Sequence, residues 1–507
     1  MTSPLKILYA TSEVTPFSKT GGLADVSASL PRALTALGHD VRIVTPHYRE
    51  FGGDVRPLLT LDRVHSARGP TSAIVGETEL PRGTADPRVP VYAIRDAQFG
   101  WFDREGIYQH HGFDFQDNLE RYAFFSRATI ELIPALGWRP DVLHCHDWQT
   151  ALIPTYLKVG AQNNADRALD PRTVLTIHNL GYQGTFPSER FPDTGLGWEQ
   201  FTSESVEFYG QVNLLKGGLL AADLLTTVSP TYAREILTEP ASHGLSGVLM
   251  VRQPDLTGIL NGIDTATWDP ATDSALAAPF TADAFEGKAA CRADLLRRVG
   301  LSPGAGPVIA MVTRLAEQKG VDLVLELLPE LTTFDVRIVV LGTGNPVYEV
   351  ALQAWQAKAP DRIAVVLGFD DALAHQLIAG ADVFLMPSRY EPCGLSQMYA
   401  MRYGTVPVCH QTGGLADTVV DYRPRWIHEN QATGFLFQPC DADALIRALQ
   451  LAFAVYRNPS AWRRLMVAGM SADFGWARSA AAYVSVYRRA LNIDLAPVAA
   501  RGAATTS

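Results

Sequence analysis

The sequence predicts an α/β protein built from two Rossmann-like halves, and three observations carry that reading. A chain of 507 residues is too long for one ordinary hydrophobic core. Short continuous apolar runs alternate with longer helix-like segments, as in buried parallel strands covered on both faces. The hexapeptide Thr-Gly-Gly-Leu-Ala-Asp occurs twice, at Thr20–Asp25 and Thr412–Asp417, each time between a strand-like and a helix-like segment. The repeat supports two halves that each present a Gly-Gly turn. On this reading the first domain covers 1–250 and the second 251–475. A helix over 476–495 returns to the first domain, and a tail rich in Ala, Thr and Ser, 496–507, frays.

Composition narrows the function. Hydrophobic residues make up 47% and charged residues 19%, which fits a packed globular enzyme and argues against disorder. The formal charge of −10 argues against nucleic acid or an anionic membrane as partner. No apolar run approaches the length of a membrane span. Leu5–Ala10 is short and soon interrupted by Glu13, so it reads as a first strand and not as a secretory leader. Cys145, Cys291, Cys393, Cys409 and Cys440 are dispersed without metal-ligand or framework spacing. Free thiols in a reducing cytoplasm are the expectation.

In the first half, Lys6–Ala10 is a strand, followed by a loop and a helix. Gly21-Gly22 allows the close backbone approach that a phosphate-cradling turn requires, and Lys19 just before it supplies charge; a plain strand-to-helix turn is the other reading. Val41–Thr45 is the next strand, and Val64–Ala93 reads as a β-rich insertion with turns at Gly69-Pro70 and Pro81-Arg82-Gly83. The stretch from Phe99 to Phe125 interleaves aromatic faces with Asp, Asn and His, as a sugar-binding groove does; a loop packing its own aromatics is the alternative. Asp141–His144 is a strand running into His146-Asp147-Trp148. Alternation puts His144 and His146 on one side and Asp147 on the other, and no third ligand is spaced to join them, so no metal is expected. Thr173–Ile177 is a strand whose carboxyl end carries His178, either a functional residue or a hydrogen-bonded structural one.

In the second half, an Ala-, Pro-, Thr- and Asp-rich stretch, Asp269–Asp283, marks a surface excursion near the domain boundary. Val308–Val312 is a strand leading to a loop that bears Arg314 and Lys319. Two cations there suit a diphosphate, Arg holding oxygens bidentately and Lys adding a point charge; a solvated basic pair is the other reading. Strands follow at Arg337–Leu341, Ile363–Leu367 and Val383–Met386. After the last comes the loop Arg389–Pro392, then Cys393-Gly394 and a helix from Leu395. Ligands of open α/β sheets bind where loops leave the carboxyl ends of strands, and a helix opening there directs N–H groups at an anion. Glu391 then either lines a crevice for a ligand with hydroxyls and phosphates, such as a nucleotide sugar, or caps the helix.

Taken together the motifs resemble bacterial glycogen synthase and plant starch synthase, the retaining glucosyltransferases that use ADP-glucose. The resemblance rests on Lys19–Asp25, the His-Asp-Trp at 146–148, Thr-Ile-His-Asn at 176–179 and Thr-Val-Ser-Pro-Thr-Tyr at 227–232. It continues through Gly-Ile-Leu-Asn-Gly-Ile-Asp at 258–264, Thr-Arg-Leu…Gln-Lys-Gly at 313–320, and Ser-Arg-Tyr-Glu-Pro-Cys-Gly-Leu at 388–395. It implies a GT-B fold, two Rossmann-like domains facing across a cleft. It further implies that Lys19, Gly21 and Gly22 contact the donor, that Arg314 and Lys319 hold its diphosphate, and that Glu391 binds glucose hydroxyls. His178 and Asn261 would contact the sugar, and Cys393, Gly394, Leu395 and Ser396 would form the receiving helix start. Asp25, Tyr108, Asn118, Asp147 and Asn179 fall to the acceptor or sugar side. Phe369 stands where the family often has an adenine-stacking Tyr. Gln149 and Gly181 stand where His and Ala are usual.

The implied reaction moves glucose from ADP to the non-reducing 4-hydroxyl of an α-1,4-glucan, keeping the α configuration, with no cofactor and no metal. A retaining glycosidase needs a second carboxylate as nucleophile; no such pair stands out, so same-face attack is expected, with the leaving diphosphate taking the acceptor's proton. The alternatives are a related transferase using UDP-glucose, a catalytically silent glucan-binding protein, and a phosphorylase, for which no lysine-bearing cofactor motif is seen. The oligomeric state is not assigned.

Overall fold

The computed structural model describes residues 3–81, 87–110, 112–162, 171–423 and 431–492. The expected turn at Pro81-Arg82-Gly83 and the tail 496–507 fall partly or wholly outside them. The chain divides into two compact units.

The first unit carries a sheet with strands in the order Leu256–Gly258, Leu224–Thr227, Arg172–Ile177, Val142–His146, Lys6–Ala10, Asp40–Pro46, Pro90–Asp96, Thr71–Glu79, Arg56–Val64. The first seven run parallel, and the last two add an antiparallel edge. Numbered along the chain, the parallel strands stand 7-6-5-4-1-2-3, the doubly wound arrangement. The central strands are nearly wholly buried, which is why their sequences are mostly apolar. The β-rich insertion begins at Arg56, earlier than the expected Val64, because the strand Arg56–Val64 is mostly exposed and carries no apolar run.

The helix Trp476–Ala490 belongs to this unit. Trp476, Ala480, Tyr483, Tyr487 and Ala490 share one face and join Ile7, Leu30, Leu34, Val142 and Val174 in its core. The unit continues to Ile259, beyond the expected 250, because Leu256–Gly258 pairs in parallel with Leu224–Thr227.

The second unit takes in Ser229–Arg234 and Leu260–Gly475. Its six strands are all parallel, in the order Ile363–Leu367, Arg337–Gly342, Val308–Val312, Val383–Met386, Val406–His410, Phe435–Phe437. Along the chain that is 3-2-1-4-5-6. Both units are therefore Rossmann-like, but the repeated hexapeptide does not mark equivalent places in them. Thr20–Asp25 follows the first strand of its sheet, whereas Thr412–Asp417 follows the fifth strand of the other. The repeat is a shared local solution to a strand-to-helix turn.

Candidate active site

In a doubly wound sheet the binding crevice opens where the strand order reverses, between strands one and four. In the second unit this is between Val308–Val312 and Val383–Met386. The loops leaving those two strands carry Arg314, Lys319 and Glu391. Glu391 is 6% exposed. Lys319 Nζ donates to its Oε2 at 2.6 Å, and Ser388 Oγ donates to the same oxygen at 2.9 Å. His410, ending the neighbouring strand, donates from Nδ1 to the Ser388 carbonyl at 2.8 Å. The helix Ser396–Arg402 receives no side-chain cap, so of the two readings of Glu391 the capping one does not hold. Arg314 is exposed on the Lys319 loop and reaches Gln318 Oε1 at 3.1 Å.

Glycines hold these loops together. Gly320 has φ 66° and lies against the Pro387 backbone. Gly413, with φ 43°, and Gly414 lie against the carbonyls of Glu391 and Cys393, where a Cβ would overlap them. The Gly414 N–H donates to the Glu391 carbonyl at 3.1 Å. The second Gly-Gly turn thus clamps the Glu391 loop and does not stand open for a phosphate. The Cys393 thiol, pushed up to about 12 by burial, lies beside Asn261. Asn261 is buried, and its Oδ1 has no hydrogen-bond partner among the described residues. Gly394 adopts φ 68°, Leu395 precedes the helix, and Ser396 begins it. Phe369 is 80% exposed, just past the strand Ile363–Leu367.

In the first unit the reversal lies between Lys6–Ala10 and Val142–His146. Lys19 is exposed and donates to Asp25 Oδ1 at 2.8 Å; Thr15 Oγ1 donates to the same oxygen at 3.2 Å. Asp25 therefore orients Lys19, a role the sequence reading did not give it. Gly21 is extended, with open space where a Cβ would point, and Gly22 begins the helix Gly22–Ala36. Glu13 braces this loop from beneath. Its carboxylate accepts from the Thr20 and Gly21 N–H groups, from Thr20 Oγ1 at 2.7 Å and from the Tyr108 hydroxyl at 2.6 Å. Burial pushes the Glu13 carboxyl up despite those donors. Asn118 is buried, donating to the Tyr108 carbonyl at 2.9 Å and accepting from Arg121 at 2.6 Å. Tyr108 and Asn118 thus brace the loop through these contacts. Glu13 escaped the sequence reading because a lone acid after a strand looks like a boundary.

On the next loops, Asp147 adopts φ 56° and is buried. Its Oδ1 accepts from the His178 N–H at 2.7 Å. Asn179 Oδ1 accepts from the Gly181 N–H at 2.9 Å, closing a local turn. His178 Nε2 lies 2.9 Å from His146 Nδ1. Burial lowers His178 to about 3, leaving the ring neutral near pH 7. It raises Asp147 from 3.8 to about 7, the nearby Glu13 charge adding to the rise. The sign follows from linkage. Between about pH 4 and 7 the folded carboxyl holds a proton that the unfolded one has lost, so this group's contribution falls as pH rises, by up to about 1.4 kcal/mol per unit. Asp147→Asn is expected to remove that fall. Urea midpoints measured from pH 4 to 7 should show the native protein gaining on the variant toward acid; parallel curves would refute the raised carboxyl.

Comparison with known proteins decides the family. Residues 6–251 match the starch synthase catalytic domain and 293–463 match glycosyl transferases group 1. The chain is 47% identical over 489 residues to glycogen synthase 2 of Geobacter sulfurreducens, covering 96% of this chain and 99% of that one. The glycogen synthase of Anaeromyxobacter dehalogenans is 48% identical over 487 residues, covering 96% of this chain and 99% of that one. The chain belongs to the glycogen synthase family. It is a glycosyltransferase of GT-B fold. The catalytic domain of starch synthase IV from Arabidopsis thaliana, solved bound to ADP and acarbose, superposes with a TM-score of 0.86 at 35% identity, covering 97% of this chain and all of that one. A sucrose-phosphate synthase from Thermosynechococcus elongatus, 19% identical, shares the fold with a TM-score of 0.58, covering 96% of this chain and 99% of that one. Within this glycogen synthase family chain, the first match falls in the first unit except for Ser229–Arg234, the second falls in the second unit, and the helix Trp476–Ala490 lies outside both.

Proposed function

We propose that the chain transfers glucose from ADP-glucose to the non-reducing end of an α-1,4-glucan in the cytoplasm, with retention of the α configuration. The observation that carries this reading is the convergence of Arg314, Lys319 and the buried Glu391 at the strand-order reversal of the second unit. Arg314 and Lys319 hold the diphosphate, and their charge stabilises the anion that grows as the sugar bond breaks. Glu391, fixed by Lys319 and Ser388, accepts hydrogen bonds from glucose hydroxyls. Asn261 is assigned to the sugar, and Phe369 offers its exposed ring to adenine; in the first unit, His178 is assigned to a sugar hydroxyl. The N–H groups opening the helix at Leu395 and Ser396, beside Cys393 and Gly394, lack partners within that helix and suit phosphate oxygens. Lys19 and the open turn at Gly21 and Gly22 are assigned to the donor as well. Asp147 holds the His178 backbone in place, and Asn179 closes the turn that follows it. The leaving diphosphate takes the acceptor's proton, so same-face attack needs no carboxylate nucleophile.

Two side-chain cations take the place that a metal would fill in this scheme. Turnover is therefore expected to persist in excess EDTA. Loss of activity restored by magnesium or manganese would contradict it. Transfer of labelled glucose to glycogen should be faster from ADP-glucose than from UDP-glucose at equal concentration. A faster UDP-glucose reaction would reassign the donor, and glucan binding without transfer would make the chain a silent binder.

A further inference from the structure

One neighbour that lies wholly in the interior sets the chemistry of the His178 ring. His146 Nδ1 and His178 Nε2 are 2.9 Å apart, so one nitrogen donates and the other accepts. Burial holds both rings below the usual histidine range, so both are neutral and share a single bridging proton. Two arrangements are possible. If His178 donates, His146 must carry its own proton on Nε2. That atom is buried and has no hydrogen-bond partner among the described residues. If His146 donates, its Nε2 holds only a lone pair. Buried N–H groups without an acceptor are rarer than under-satisfied acceptors, so the second arrangement wins. The ring is also locked in place. It stacks on Tyr9 at 4.0 Å between centroids and lies 4.1 Å from His144. His144 is fastened in turn by the Tyr487 hydroxyl at 2.8 Å and by Thr176 Oγ1 at 2.6 Å.

We infer that His146 is a positioning residue that fixes His178 as the tautomer protonated on Nδ1, presenting a hydrogen-bond donor outward. That the donor meets a sugar hydroxyl rests on the transfer reaction proposed above; the tautomer does not. The half-buried His178 has no other ring partner among the described residues, which leaves Nδ1 available to a ligand.

The test uses the full chain, labelled with 15N-histidine and free of ligand. Long-range proton–nitrogen spectra, with the His178 signals assigned by their loss in His178→Ala, should show the proton on Nδ1. A proton on Nε2 overturns the inference, and this measurement needs no variant of His146. A chain that shows the Nδ1 proton yet transfers no glucose would sink the proposed reaction and leave the tautomer standing. Kinetics add a second arm. His146→Leu removes the donor and should lower kcat about tenfold, the worth of one hydrogen bond, with little change in KM for ADP-glucose. His146→Asn places an amide N–H near the lost Nδ1 position and should recover most of that turnover. Equal losses in both variants at unchanged melting temperature, or no loss in either, overturn the positioning role.

Discussion

Lys319→Ala should lower turnover about 10²–10³-fold, the effect of removing a preorganised donor from a developing anion. Its position on a loop suggests that folding would be spared. The ion pair changes that expectation. Lys319 is the cation facing a buried carboxylate whose other side-chain donor among the described residues is Ser388. Breaking fully buried pairs costs about 3–5 kcal/mol, and a Lys319 side chain that is 19% exposed brings the figure lower. Stability and turnover should therefore fall together in the single variant. The pair Lys319→Met with Glu391→Gln separates them, because it removes both charges while keeping the volume. Its urea midpoint should return toward that of the native chain while its turnover stays low. Turnover that recovers with stability would take Lys319 out of the diphosphate site.

Gly413→Ala should be as damaging from a position that touches no substrate. The backbone there has φ 43°, where a side chain costs about 1–2 kcal/mol, and the new Cβ would overlap the Glu391 carbonyl oxygen. The carbonyl has to move, and overpacking of that kind costs about 1–3 kcal/mol more. Because the displaced residue is Glu391, the loss should appear in kcat as well as in the melting temperature. The matched control is Gly21→Ala, which is extended and meets nothing within 4 Å. It should leave the melting temperature unchanged, so any loss of activity there reports on the donor alone. A Gly413→Ala protein with native turnover would show that the Glu391 loop is not clamped as described.

Much of the fold was legible because a parallel strand covered on both faces must be written as a continuous apolar run. Val383–Met386 and Val308–Val312 are such runs, and both form strands. Arg56–Val64 was missed because an exposed antiparallel edge carries no such run. The hexapeptide repeat misled in one respect. Six residues specify a turn that needs close backbone approach, but the strand each turn follows is decided by pairing far along the chain. The cations and Glu391 were identifiable by residue type and loop position. Their pairing was not, since Lys319 and Glu391 are 72 residues apart in sequence. Glu13 and His146 stayed hidden for the same reason, because a brace is recognised by what it touches. Asp25, Tyr108 and Asn118 were singled out as polar groups facing a ligand, and burial or pairing turned each of them to holding its own loop.

One time course tests directly whether glucose is transferred from a nucleoside diphosphate sugar with the α configuration kept. ADP-glucose labelled with 13C at the anomeric carbon, mixed with a maltooligosaccharide and the full chain, can be followed by NMR. The expected result is an α-1,4 anomeric signal growing in step with released ADP, absent when Lys319→Ala replaces the native chain. A β-linked product, or labelled free glucose appearing in place of a linkage, would contradict the account.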